Sequence, residues 1–212
     1  MSAAPDEPTV ARRVRLAPDE RRAQLVALGV AALAEHPLQE IDLAALAAQA
    51  GVSKGLVFHY FESKQGFQRE IVRTARDSML RATEPREDLP PLERLHDTLL
   101  RTVGFVREHR GTFVSLVRGT ASGDPRIQEV VEQARKAQAA RVVALLAECD
   151  VQASPELRIA IRAWIAFAEQ LLVDAAHGAD RPAERIVELA EGALEGVVRF
   201  VDEPAAAALF DA

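Results

Sequence analysis

Ser53, Lys54, His59, Tyr60 and Lys64 gather hydroxyl, ammonium, imidazole and phenol donors into one short stretch. Such groups suit anionic oxygens and the edges of heterocycles, which accept N–H and O–H donors. The chain has three lysines, two of which stand here, and Tyr60 is its only tyrosine. Nothing comparable points to bond-making chemistry. The five histidines are scattered, HExxH, GxSxG and a glycine-rich phosphate loop are absent, and the acidic residues are mostly spaced as helix caps or solvated faces. The chemistry on offer is recognition. An enzyme is not expected, and neither a metal nor a cofactor is implied.

The elements that must hold these donors are written in the same stretch. From Asp42 to Phe61 the chain reads DLAALAAQAGVSKGLVFHYF. Leu43, Leu46, Ala47 and Ala50 recur on one face of a short helix. Gly51 breaks it, and Ser53 can cap a second helix whose apolar side is Val57, Phe58 and Phe61. Two short helices across a tight glycine turn make a helix-turn-helix, whose second helix is sized for the DNA major groove. Ala47 falls where the helices cross, and Gly51 where a positive φ is needed. The competing reading is an Ala-rich hairpin used only for packing, for which LAALAAQA alone would suffice. Against it, the polar residues follow the turn in the order a groove-facing helix would present them. Ser63 can cap a further helix from Lys64 to about Thr83. Its first N–H groups, with Lys64, are placed to meet a phosphate.

AGVSKGLVFHYFESK, with the helices on either side of it, resembles the TetR family of bacterial transcriptional regulators. The match is dense from Pro18 to Arg76 and architectural beyond. The resemblance implies a three-helix DNA-binding head and a helical body that dimerises and usually binds a small effector. It places Asp42, Ser53, Lys54, Gly55, Leu56, His59, Tyr60 and Lys64 at the DNA. Three positions depart from the family pattern: Asp42 stands where Thr or Ser often caps the second helix, Leu56 where a small or hydroxyl residue is common, and Phe58 where Tyr is usual. Each removes a polar contact to DNA. The implied partners are a two-fold double-stranded operator, a second copy of the chain and a small-molecule effector of unknown identity. Such regulators are most often repressors released by the effector. The alternative is an effector-independent DNA-binding scaffold or an activator, with a filled body core.

Composition sets bounds on these expectations. In 212 residues, 49% are hydrophobic and 27% charged, which suits a soluble chain with a substantial core. The net charge of −6 counts against DNA binding until the chain is divided. Residues 1–76 hold ten Lys/Arg and nine Asp/Glu, a net +1, and the remaining −7 lies in 77–212. Local placement, rather than the total, governs docking. Cys149 is the only cysteine, which excludes an internal disulfide and fits a reducing compartment. The N-terminus has no apolar run of the signal-peptide kind. The most apolar segment, Ile159 to Ala176, is broken by Arg162, Glu169 and Asp174, so no membrane partner is expected. A bacterial, cytoplasmic protein, on the nucleoid when bound to DNA, is the expectation.

The chain reads as all-α with about nine helices, no β alternation and no internal repeat. A disordered basic arm is expected over 1–16, the helix-turn-helix DNA-binding domain over 17–63, the effector-binding and dimerisation domain over 64–204, and a tail over 205–212. In the body, helices are expected from about Leu92 to His109, stopping at Gly111, and from Thr112 to about Thr120. Asp124–Pro125 opens one to about Cys149, and Ser154–Pro155 one to about Ala176. The last runs from about Pro182 to Val201 and stops at Pro204. Phe105, His109, Phe113, Val117, Arg118, Trp164 and Phe167 are the candidate effector pocket, which favours a hydrophobic ligand; singly, each aromatic also suits a plain core position. The final two helices carry long apolar stripes. Ile161, Ile165, Leu172, Leu189 and Val197 are the candidate dimer interface, in a four-helix bundle with a second copy.

Overall fold

The computed structural model describes residues 16–119, 124–177 and 181–211, with Arg118 and Gly119 defined in their backbone alone. The expected arm therefore lies almost entirely outside the described residues. Ten α-helices and one short 3-10 turn make up the described chain, and no strand occurs among them. The head comprises α1 (Pro18–Leu33), the turn Leu38–Glu40, α2 (Leu43–Gln49) and α3 (Lys54–Phe61). The body comprises α4 (Lys64–Ala82), α5 (Pro91–Glu108), α6 (Arg110–Gly119), α7 (Pro125–Glu148), α8 (Pro155–His177), α9 (Ala183–Val201) and α10 (Glu203–Phe210).

Side-chain caps start most of these helices. Asp42 accepts from the Ala44 N–H at 2.7 Å, Ser53 from Leu56 at 3.2 Å and Ser63 from Gly66 at 2.9 Å. In the body, Asp124 accepts from Arg126 at 2.9 Å and Ser154 from Leu157 at 3.1 Å. Each satisfies an N–H that has no partner within its helix. Gly51 takes the expected positive φ, 68°, and the Val52 N–H then closes on the Ala47 carbonyl at 2.9 Å. That bond fixes the α2–α3 corner.

Leu25, Leu33, Leu46, Val57, Phe61, Phe67 and Ile71 form the head's core. The core does not stop at the head: Phe67, Ile71 and Val72 come from α4, and Ile127, Val130 and Val131 from α7. A second core joins α5, α7, α8, α9 and α10, and a third joins α5 and α6 to the adjoining ends of α8 and α9.

Three expectations are corrected, two about element ends and one about a side chain's facing. The tail expected over 205–212 is mostly helix, because Pro204 starts α10 instead of ending α9. Proline costs nothing in a first turn, and Asp202 caps it by accepting from Ala205 at 3.1 Å. Ala206 and Leu209 then pack into the second core. Gly111 is not a stop either. It lies within α6, where a Cβ would stand 1.8 Å from the Ala34 carbonyl oxygen just past α1. Its lack of a side chain lets the two backbones touch. Phe58, expected on the apolar side of α3, is 37% exposed, since Val57 and Phe61 already fill that side's contact with the core.

Candidate nucleic-acid interface and body cavity

On α3 the exposed residues are Lys54, Gly55, Phe58 and His59, while Val57 and Phe61 are buried beneath them. This arrangement follows from helical spacing, since residues three and four apart share a face. A Cβ on Gly55 would meet only the Ser53 hydroxyl, at 3.8 Å, so that point of the surface is open to close approach. The Lys54 ammonium lies 5.8 Å from the centre of the Phe58 ring. Phe58 thus joins the exposed group, although its residue type does not separate it from its buried neighbours. An exposed ring there suits apolar contact with a base methyl.

The other expected DNA residues are more committed. The Ser53 hydroxyl and the Asp42 carboxylate cap their own helices. Leu56 and Tyr60 are half-buried, and Tyr60 packs on the head core. Lys64, at the start of α4, donates to the Gln39 carbonyl at 2.8 Å. Two of its three N–H donors remain for a phosphate. Beside it, Gly66 admits the Phe61 carbonyl oxygen, 2.0 Å from where a Cβ would stand, so α3 and α4 meet main chain to main chain.

The body holds a cavity of about 300 Å³ between α4, α5, α6, α7 and α8. Of the residues expected to line it, Phe113 and Trp164 do. Phe105 instead packs against His109, with ring centres 4.4 Å apart and the rings tilted by 53°, and Val117 packs into the third core. Phe167 points out of the body and is 46% exposed. The side chain of Arg118 lies outside the described residues. The lining includes Met79 from the far end of α4 and polar residues the sequence reading passed over, among them Arg94, Thr98, Arg135 and Arg141. Trp164 also donates its indole N–H to the Ala190 carbonyl at 2.8 Å, tying α8 to α9.

The residues expected at a subunit interface divide in the same way. Ile161 is fully buried in the chain's own core, and Ile165 and Leu172 line the cavity. Leu189 is exposed and Val197 half-buried. The outward stripes of the last long helices are Ile159, Ala163, Ala166 and Phe167 on α8, and Leu189, Gly192, Gly196 and Phe200 on α9. Phe200 is 92% exposed, and a Cβ on Gly192 or Gly196 would touch nothing.

No helix among the described residues is long and apolar enough to cross a membrane. A family model described as "Bacterial regulatory proteins, tetR family" matches residues 25–71, and one described as "Tetracyclin repressor-like, C-terminal domain" matches residues 91–196. Over 53 residues the chain is 40% identical to the HTH-type transcriptional regulator BetI of Yersinia pestis (strain Pestoides F). That match covers 25% of this chain and 27% of BetI, so the chain spans about a quarter of that relative's length. A tetR-family transcriptional regulator from Streptomyces coelicolor superposes with a TM-score of 0.78 at 28% identity, covering 91% of this chain and 88% of that one. The transcriptional regulator FadR of Bacillus subtilis, solved in complex with stearoyl-CoA, shares the fold with a TM-score of 0.65 at 16% identity. That superposition covers 84% of this chain and 97% of FadR. The head's glycine-turned helix pair, the all-helical body and the two family matches converge: this chain belongs to the TetR family of bacterial transcriptional regulators, DNA-binding proteins of the helix-turn-helix class.

Proposed function

We propose that this protein is a cytoplasmic, homodimeric repressor that binds an approximately palindromic operator through α3 and leaves it when a small, largely apolar effector enters the body cavity. The observation that carries the DNA half is the exposed row Lys54, Gly55, Phe58 and His59 above buried Val57 and Phe61. The apolar stripes of α8 and α9 support the dimer, because an exposed Phe200 on the same side of α9 as Leu189 and two open glycines is costly to leave in water. Two copies joined there would bring two reading helices to one side of the duplex, about one turn of DNA apart.

The regulatory half rests on α4. It begins at Lys64, contributes Phe67 and Ile71 to the head core, and reaches the cavity at Met79. A ligand that shifts one end of this helix tilts the other. The effector-independent alternative needs a filled body, and a cavity of about 300 Å³ weighs against it.

The test is to select fragments of the source genome with the purified protein and measure anisotropy of the best fragment across a salt series. A palindromic site, bound with a salt slope of several phosphates, is expected. Fragments with no shared motif, or binding by a single chain per site, would sink the proposal.

A further inference from the structure

Three arginines reach the cavity, and their partners differ. Arg94 meets Glu148 at 2.8 Å, and Arg135 meets Glu169 at 2.8 Å. Arg141 pairs with no carboxylate among the described residues. Its Nη1 donates to the Thr83 carbonyl at 3.1 Å and the Gln138 amide oxygen at 3.3 Å, and its Nη2 to the Leu80 carbonyl at 3.0 Å. A half-buried guanidinium without a counter-ion is costly. Burial accordingly holds its pKa below the ordinary arginine range, with Glu84 opposing the shift and Arg101 adding to it.

The arginine is not saturated. Of its five donors three are in use, and Nε and one Nη2 hydrogen are left. These two nitrogens share an edge of the planar group, the edge that matches a carboxylate fork. In the same cavity the Thr98 hydroxyl is buried with no hydrogen-bond partner. Of the nearby acids, Glu84 and Glu87 are exposed, and Glu84 acts on Arg141 through space without forming an ion pair with it. The remaining wall is apolar, including Leu95, Leu99, Phe113 and Trp164.

We propose that the cavity takes an apolar molecule ending in a compact anion, a carboxylate in its simplest form, with the anion seated on Arg141 and the Thr98 hydroxyl. The proposal rests on the reading of this cavity as the effector site and names the class of effector. An anion supplies the missing counter-charge, whereas a cation or a neutral hydroxyl leaves Arg141 unbalanced. It also gives the ligand a grip on α4. Arg141 from α7 and Arg101 from α5 together hold four carbonyls at the end of that helix: Leu80, Ala82, Thr83 and Glu84. Arg101 is already paired with Asp97 at 2.8 Å, so a ligand anion acts on Arg141. Drawing its guanidinium towards the ligand loosens one of the two holds.

The experiment titrates the full chain with octanoate, octan-1-ol and octylamine below their aggregation thresholds, following Trp164 fluorescence and calorimetric heat. Octanoate is expected to bind about tenfold or more tighter than the other two, as charged hydrogen bonds would give. Arg141→Met should bring octanoate down to the alcohol's affinity, while Arg141→Lys should keep part of the preference. Thr98→Val should weaken octanoate alone. If the alcohol or the amine binds as tightly as octanoate, or Arg141→Met keeps the preference, the anion site is refuted and the cavity reading survives. If none of the three binds, both fail. Should Arg141→Met not fold, the three-ligand comparison on the native chain and Thr98→Val still decide.

Discussion

Replacing Gly111 with alanine tests whether head and body meet through rigid main chain. A Cβ there would lie 1.8 Å from the Ala34 oxygen, 2.6 Å from its carbonyl carbon and 2.9 Å from its Cα. To reach 3.0 Å, below which real Cβ contacts essentially never occur, the two backbones must part by about 1.2 Å. Neither side can yield by turning a side chain. The neighbours are also fixed, since Leu33 is fully buried in the head core and Phe113 in the third core. Overpacking of this kind costs about 1–3 kcal/mol, here towards the upper end because both partners are backbone. Alanine's better helix propensity returns about 1 kcal/mol. The net loss is about 2 kcal/mol, a fall in Tm of roughly 4–8 °C for a chain of this size. Gly104→Ala is the matched control: it sits mid-helix in α5 with nothing within 4 Å of its Cβ, and should raise Tm by about 2–4 °C. Both are read by thermal melting at one fixed protein concentration, because a dimer's Tm depends on it. A Gly111→Ala protein that melts at or above the native one would refute the argument.

At the head, His59→Ala should cost about 1–3 kcal/mol on the selected operator and little on random DNA, measured by anisotropy. Lys64→Ala should weaken binding to all sequences and reduce the salt slope by about one; an unchanged slope would show that the amine stays on the Gln39 carbonyl. Leu189→Glu, exposed in the single chain, should give a folded monomer by light scattering with native helicity, and a persisting dimer would move the interface elsewhere. Trp164→Phe removes the indole donor to the Ala190 carbonyl and part of a buried ring, and should cost about 1–3 kcal/mol in urea unfolding.

What could be read from the sequence was local. Ser53, Ser63, Asp124 and Ser154 announce their helices because a cap bonds to an N–H two or three residues on, and Gly51 announces its turn because the φ it takes is its own property. The same logic brought Lys54 and His59 to one exposed face. The sidedness of α8 was not legible. It carries apolar residues on every side, so periodicity cannot say that Ile161 is fully buried while Phe167 is 46% exposed. Pro204 and Gly111 are ambiguous for a related reason: each ends a helix in one setting and opens or packs one in another, and only the neighbours decide. Arg141 carries no local signal at all, since the carbonyls it holds lie 58 and 61 positions away in the chain.

The floor of the head's core is laid by Ile127, Val130 and Val131 of α7, residues that follow the head by more than two intervening helices. The part that touches DNA is therefore not a detachable module. Residues 16–82 expressed alone would carry an open apolar wound, and heat should melt head and body in one cooperative step. A recombination event that exchanged only the N-terminal third would import a head shaped for another protein's α7. For anyone building chimeric sensors from this scaffold, the unit of inheritance is the head together with the first half of α7, although the two are strangers in sequence.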